Sequence, residues 1–353
     1  MTEGASVYRV GLNGGLTLLG KEILTVLKAR NFPVNYVIGV EDRSEELDAP
    51  ILNIADDPIP VIEESGGEGA ECDFLFLAGP TASAPKQPRA PVESGRENET
   101  AKRQFVIDVT GGSSAPSPVL RLPLFDAARQ DVAAGVKQGN GLFVCPHAAT
   151  IVLAGLVLRI AARLDIRNIS ALVFLPASEL GPGAIEELQK QTIGLLNFGE
   201  VPRKVFGAQV AFNMLPRLGA KGKSILAATE NRIRSELQQL LAVCSAVPAV
   251  RVVQAPSFYS MAVSIYAQSP QRATAIQIEE ALSGENVRWA RSSQPSASPA
   301  DVQGSATLLL DPAVVELGQA GGFWLWGRAD DLRLQAENAV MMAEELVPFV
   351  RHP

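Results

Sequence analysis

Gly141 to Arg163, read GLFVCPHAATIVLAGLVLRIAAR, is the stretch that most limits what this chain can become. A short apolar run closes on Cys145-Pro146-His147, and from Ala148 to Leu164 the residues form a helical pattern that is apolar on nearly every side. A helix with no polar face has no place for water, so it must lie in a core. Its N-terminus then turns backbone N–H groups and the positive end of its dipole toward the interior or a cleft. That is where an enzyme places a nucleophile or an anion. The segment also holds one of three cysteines and the only histidine apart from His352.

At 353 residues, 47% apolar and 20% charged, the chain has the make-up of an ordinary globular protein and the length of two domains. A net charge of −7, with no basic stripe between aromatics, argues against nucleic acid as a partner. The N-terminus has no basic region followed by a long apolar stretch, and Ile151 to Leu158 is far short of a membrane span. The expectation is a cytoplasmic protein with no membrane contact. Cys72, Cys145 and Cys244 are odd in number and widely spaced, which fits neither a disulfide framework nor a zinc site, and two histidines cannot build a metal cluster or a Ser-His-Asp triad.

Val7 to Leu12 reads as a strand, followed by a Gly-rich turn and the helical pattern KEILTVLKAR, whose apolar face is Ile23, Leu24, Val26 and Leu27. This is the opening of a dinucleotide-binding βαβ unit. Gly14, Gly15 and Gly20 let the backbone turn tightly and approach a pyrophosphate at a helix N-terminus, while Thr17 departs from the stricter glycine fingerprint. Strand and helix context favour that reading over a bare packing turn. A second strand, Tyr36 to Val40, ends in Glu41-Asp42-Arg43-Ser44. An acid there suits a ribose 2′-hydroxyl and an Arg with a Ser suits a 2′-phosphate, so NAD and NADP both stay open, as does a plain solvated loop. Phe74 to Ala78 and Phe105 to Val109 read as buried strands of a parallel sheet, with the Pro- and charge-rich segment 80–104 between them as a loop.

Beyond the central helix, Ala171 to Leu175, Gln209 to Met214, Val250 to Gln254 and Ser260 to Ala267 read as strands. Helices are expected at Gly183 to Leu196 and Ala228 to Val243. Ser305 to Leu310 reads as the last strand, after a low-complexity loop at 292–306, and Asp330 to Val350 as an amphipathic closing helix. The mixture predicts a second, α+β domain.

Five segments, GKEILTVLKARNFPV, VFLPASELGPGAIEEL, VAFNMLP, VVQAPSFYSM and FWLWGRADDLRLQAENAVMMAEEL, resemble the aspartate-semialdehyde dehydrogenase family in order and near-spacing over almost the whole chain. The resemblance implies an α/β fold with a Rossmann-type dinucleotide-binding domain over 1–146, to which a closing helix at 330–353 returns. A catalytic and dimerisation domain of the semialdehyde dehydrogenase type would occupy 147–329. It implies a homodimer and, at the cofactor, Gly14, Gly15, Thr17, Leu18, Leu19, Gly20, Arg43, Ser44, Gly79 and Asn338. The family reduces an acyl phosphate to an aldehyde with NADP, through a thioester on a cysteine, with a histidine as acid/base.

The residues at those positions do not supply that chemistry. The nucleophile's motif, Pro-Asn-Cys-Ser/Thr-Thr, aligns with Pro146 to Thr150 and puts Ala148 in the cysteine's place. The acid/base position falls on Met261, the carboxylate-gripping arginine on Gln254 and the glutamine of the catalytic strand on Leu175. The phosphate-binding Arg expected after Asp108 is missing. Neither Ala nor Met forms an acyl bond or moves a proton. Glu230 and Arg232 match substrate-side positions of the family, yet lie i, i+2 on a helix and are equally readable as surface charges. Cys145 and His147 are possible substitutes as a displaced Cys–His pair; the plainer reading is a buried thiol and a histidine capping the helix. The expected function is therefore that of a family-like protein that binds NADP(H) without the family's dehydrogenase activity, acting by itself or with an active relative. The alternatives are an NADP-dependent oxidoreductase using Cys145, or a purely structural dimer.

Overall fold

The computed structural model describes residues 7–15, 17–40, 61–63, 72–79, 104–112, 119–125, 132–137, 141–242, 244, 246–293, 295–318 and 321–350. Arg43 and Ser44, and all of the 80–104 loop except Gln104, lie outside them. The chain forms two units: one of residues 1–123, 129–146 and 335–353, the other of residues 124–128 and 147–334.

The first unit is built on β1 (Tyr8–Asn13), α1 (Leu18–Ala29), β2 (Val34–Val40), β3 (Val61–Glu63), β4 (Phe74–Leu77), β5 (Phe105–Asp108), β6 (Val119–Leu120), α2 (Val132–Lys137) and β7 (Leu142–Val144). All seven strands run parallel in the order β3-β2-β1-β4-β5-β7-β6. Strands buried on both faces read as unbroken apolar runs, and FLFL and FVID are buried at every position. Aromatic rings at the strand starts pack in sequence: Tyr8 on Phe74 at 5.6 Å between centroids, Phe74 on Phe105 at 6.1 Å, and Phe105 on Phe143 at 6.2 Å. Each pair contributes about 0.5–1.5 kcal/mol beyond its buried area. With this end of the sheet filled, the carboxyl ends of β1 and β4 remain, where the strand order reverses; ligands of open α/β sheets bind at such a switch point.

The second unit contains α3 (Ala148–Ala161), β8 (Arg167–Leu175), α4 (Pro182–Leu196), α5 (Ala220–Leu240), β9 (Ala249–Gln254), β10 (Met261–Gln268), α6 (Ala275–Leu282), β11 (Val287–Trp289), β12 (Leu308–Leu310), β13 (Val314–Val315) and β14 (Gly322–Ala329). Its mixed sheet has the order β11-β12-β14-β10-β8-β9, with β13 against β14. Period-two alternation sends Val173, Ile265 and Leu325 to one face, where they are buried, and Leu172, Ser264 and Trp326 to the other. Ile265 and Leu325 meet Leu153, Leu156 and Val157 of α3 around a small apolar cavity, so the helix covers that face. From Ala148 through Val157 every residue of α3 is buried, as its all-round apolar sequence requires. The last helix, α7 (Asp331–Leu346), begins in this unit and ends in the first.

Two sequence expectations are corrected. Gln209 to Met214 is not a strand. Its backbone is held by side chains of α4 instead of a ladder: Gln191 accepts from the N–H groups of Val210 (2.7 Å) and Ala211 (3.0 Å) and donates to the carbonyls of Pro202 and Ala208. Just ahead of that segment, Glu187 accepts from the N–H groups of Lys204, Val205 and Phe206. Nor is Leu308–Leu310 the last strand, because β13 and β14 follow it and β14 is the partner of both β12 and β10.

Candidate functional site

Two helix N-termini were singled out by the sequence, one in each unit. In the first unit β1 runs into Gly14, which has φ +78°, a conformation L side chains avoid. A Cβ on Gly14 would overlap the backbone of Gly79, just past β4, and one on Gly20 would overlap the Gly14 carbonyl. These glycines therefore make the turn and pack the helix against it, the duties of the first and third fingerprint glycines. Thr17 stands at the middle position, where backbone approaches a pyrophosphate, and serves as N-cap of α1: its Oγ1 accepts from Gly20 N–H (3.0 Å) and lies 2.8 Å from the Gly14 carbonyl and 3.1 Å from that of Ala78, as a donor. The cap is neutral, and the first turn of α1 contains no acidic residue. The close Gly14–Gly79 backbone approach and the uncharged N-terminus of α1 leave this helix end with no side-chain anion of its own, which is compatible with a dinucleotide pyrophosphate.

The helix end in the second unit is arranged differently. His147 caps α3, its ring Nδ1 accepting from Ala149 N–H at 3.1 Å. That bond assigns the ring proton to Nε2, which lies 2.9 Å from Oε1 of Glu179. Glu236, from α5, places one oxygen on the same helix end: Oε2 accepts from His147 N–H (2.9 Å) and from the Thr150 hydroxyl (2.6 Å), while Oε1 accepts from Arg232 (2.7 Å). A buried carboxylate thus neutralises the dipole of a buried helix and is itself paired with an arginine. Burial would push the Glu179 carboxyl up, but the electrostatic pull and hydrogen bond of the His147 ring, aided by Arg232, outweigh it and hold the group below its ordinary value. Asp331 at the start of α7 goes the other way. It is 3% exposed, its Oδ1 has no hydrogen-bond partner among the described residues, and burial, then the charges of Glu179 and Asp330, push its carboxyl up to about 7.

Ala148 is 1% exposed and Met261, the first residue of β10, equally so. Gln254 is buried with its amide nitrogen donating to the carbonyls of Leu175 and Ala255, which leaves its Oε1 without a partner among the described residues. Glu230 and Arg232 do not share a site. Glu230 accepts from Val252 N–H on the edge strand β9 and pairs with Arg234 and Arg251, whereas Arg232 serves Glu236. In the first unit Cys145 is fully buried, its sulfur 3.5 Å from the Gln335 carbonyl and 3.3 Å from the Asn338 amide nitrogen, which donates to it. The buried-thiol reading of Cys145, and the capping reading of His147, describe this geometry. Asn338, expected at the cofactor, is fully buried, and its nitrogen also donates to the Arg121 carbonyl at 3.1 Å. Among the described residues no cluster of His, Cys, Asp and Glu is arranged to hold a metal ion, and no helix is long and apolar enough to cross a membrane.

Sequence reasoning missed Glu179, Glu236 and Asp331. Glu236 carried a signal, standing four residues after Arg232 on one helix, the spacing that brings opposite charges together. Glu179 and Asp331 carried none, since their partners come from distant elements.

Residues 156–305 match the semialdehyde dehydrogenase dimerisation domain. The chain is 26% identical to a USG-1 protein homolog of Pseudomonas aeruginosa over 351 residues, covering 98% of this chain and 99% of that one. It is 24% identical to an aspartate-semialdehyde dehydrogenase of Rickettsia bellii over 355 residues, covering 96% and 98%. Among solved structures it is similar to aspartate semialdehyde dehydrogenase II of Vibrio cholerae in complex with ASA, at a TM-score of 0.80, 22% identity and 98% and 99% coverage. It is also similar to an aspartate semialdehyde dehydrogenase of Candida albicans with NADP, at a TM-score of 0.59, 12% identity and 97% and 99% coverage.

Proposed function

We propose that the chain is a homodimeric, dinucleotide-binding member of the semialdehyde dehydrogenase family without the family's thioester chemistry, a reading supported by the match of residues 156–305 and by the relatives above. The observation that carries this reading is the N-terminus of α3. Acyl transfer needs a thiolate there, stabilised by the helix dipole, and a proton carrier beside it. Here Ala148 stands in the nucleophile's place and the chain's own Glu236 carboxylate occupies the electropositive end. A thiolate added beside it would face a fixed negative charge, which raises a thiol's pKa instead of lowering it. Met261 offers no proton.

The β1–α1 turn supports the dinucleotide part. A nicotinamide dinucleotide, when bound, supplies a hydride donor or acceptor; the chain's contribution is to hold its pyrophosphate on the backbone of the Gly14–Gly20 turn. The choice between NAD and NADP is left to measurement. The homodimer is supported by the match to a dimerisation domain and by the aromatic, partly exposed face of the mixed sheet. The Cys145 oxidoreductase is the weaker alternative, since a sulfur with no exposed surface has no path to a substrate.

The test is calorimetric titration with NADPH and with NADH, followed by an assay with aspartate semialdehyde. Saturable micromolar binding, about −8 kcal/mol, with no turnover is expected. Absence of binding by both removes the dinucleotide from the reading, and turnover by the unmodified chain overturns its central claim.

A further inference from the structure

The register of the mixed sheet sets one row of residues across its end. Met261 of β10 pairs with Ala329 of β14, Ala262 pairs with Phe174 so that Leu175 falls level with Met261, and Leu175 pairs with Gln254 of β9. Residues directly opposite one another share a face. It is the face that α3 covers, because Ile265 and Leu325, four residues further into the sheet, meet Leu153, Leu156 and Val157. The N-terminus of α3 therefore lies at the level of the row. The turn after β8 joins them there: Glu179 reaches the His147 ring at 2.9 Å, and Ser178 N–H donates to the Phe258 carbonyl. All of these residues belong to the second unit.

Three buried oxygens at this end have no hydrogen-bond partner among the described residues: Gln254 Oε1, Ser178 Oγ and Asp331 Oδ1. Gln254 is fully buried and the other two residues are 3% exposed. A buried polar group left unpaired costs about 1–3 kcal/mol, so three together mark a place built for something else to complete. An amide oxygen and a carboxylate oxygen only accept, and a hydroxyl can do either, so the missing partner is a donor. Asp331, two residues past Ala329, also feels the charge of Glu179. The chain's own cations do not answer this pair of carboxyls: Arg232 pairs with Glu236, and the His147 ring, accepting at Nδ1, is neutral.

We propose that this end of the sheet binds a small primary amine, its ammonium group between Asp331 and Glu179 and a neutral N–H donor at its other tip on Gln254 and Ser178. The ammonium supplies the charge that two carboxyls in a buried setting lack, with three donors to share between them. A carboxylate on the ligand would instead meet two acids and an amide oxygen, so the site selects against it. β9 and β14 stand three strands apart in the sheet, about 14 Å, so the ligand is extended, with its polar groups at opposite tips. The Glu179 side chain is 22% exposed and gives the ammonium a way in. The inference rests on the reading that this helix end has lost its thioester chemistry, and names what the site takes instead.

Calorimetric titration of the full chain with 4-aminobutanamide, 4-aminobutanoate and butanamide tests this. The amino amide is expected to bind saturably, and the other two, one carrying a carboxylate and one lacking the ammonium, at least about 10-fold more weakly. Of the titratable groups around Asp331, namely His147, Glu179 and Asp330, none supplies a fixed cation, and its carboxyl is pushed up to about 7. A bound ammonium favours the ionised form, so titrations near pH 6 in buffers of different ionisation heat should report release of about one proton per ligand. Asp331→Asn should abolish that release and weaken binding at least about 10-fold. Gln254→Leu should weaken binding and keep the release, and it carries the test if the Asp331 variant fails to fold by circular dichroism. Equal affinity for all three compounds, binding by none, or binding without proton release overturns the amine site and leaves the loss of thioester chemistry standing. Turnover of aspartate semialdehyde overturns the reading on which the site rests.

Discussion

Two helix N-termini in this chain meet the same electrostatic problem and settle it in opposite ways. The α1 end is capped by the neutral hydroxyl of Thr17 and framed by glycines that no side chain can replace. The α3 end is capped by a histidine and closed by a carboxylate from α5. An exogenous anion gains from a positive helix end only where the chain has not already supplied its own. The comparison teaches that a motif's location does not decide whether it can bind; what has been left there does.

The contrast can be broken at either end. The largest effect is expected at α1: Gly20→Ala forces a Cβ into the Gly14 carbonyl, and because the clash is with backbone it should leave little or no folded protein, read by circular dichroism and proteolysis. Next is Glu236→Ala. It strands the buried His147 N–H and Thr150 hydroxyl and removes a partner of Arg232, which should cost about 3–5 kcal/mol in urea unfolding. If the loss is under about 1 kcal/mol, the carboxylate is not what satisfies that helix end.

Asp331 sharpens the comparison through pH. Its carboxyl ionises near 3.8 in an unfolded chain and at about 7 when folded, so the folded state binds the proton more tightly between those values. Stability from this group is complete below about pH 3.8 and is lost as pH rises to about 7, by at most about 1.4 kcal/mol per unit. Wild type minus Asp331→Asn, measured by unfolding at pH 5, 6 and 7, should show that decline; a difference that does not change with pH would remove Asp331 as its source. The smallest effect is Ala148→Cys. Turnover of aspartate semialdehyde should stay at zero, with the thiol slow toward alkylating reagents, because Met261 and Glu236 are unchanged. Robust turnover would show that the acid/base position has been misplaced.

Much of the fold was legible because burial and pattern coincide. FLFL and FVID are buried on both sides and could be little else than central parallel strands. The helix apolar all round was read as buried, and it is. Gln209 to Met214 misled because alternation in sequence says nothing about who supplies the hydrogen bonds, and here Gln191 does. β14 was hidden by its glycines. Gly327 interrupts a Trp- and Leu-rich run for a reason visible only in three dimensions: a Cβ there would crowd Leu310 of β12, at 2.8 Å. At the site, Ala148 and His147 could be placed from a motif and its spacing. Glu179, 32 residues from the histidine it meets, could not.

Glu236 also has a meaning on the scale of descent. Its carboxylate is tied to His147, Thr150 and Arg232, so the cost of changing any one residue depends on the others. A lineage that acquired a cysteine at position 148 would still face the carboxylate, and one that first shed the carboxylate would pass through an unstable intermediate. Adaptive walks avoid such valleys. The network therefore acts as a ratchet against a thiolate at position 148, since no single substitution removes both obstacles.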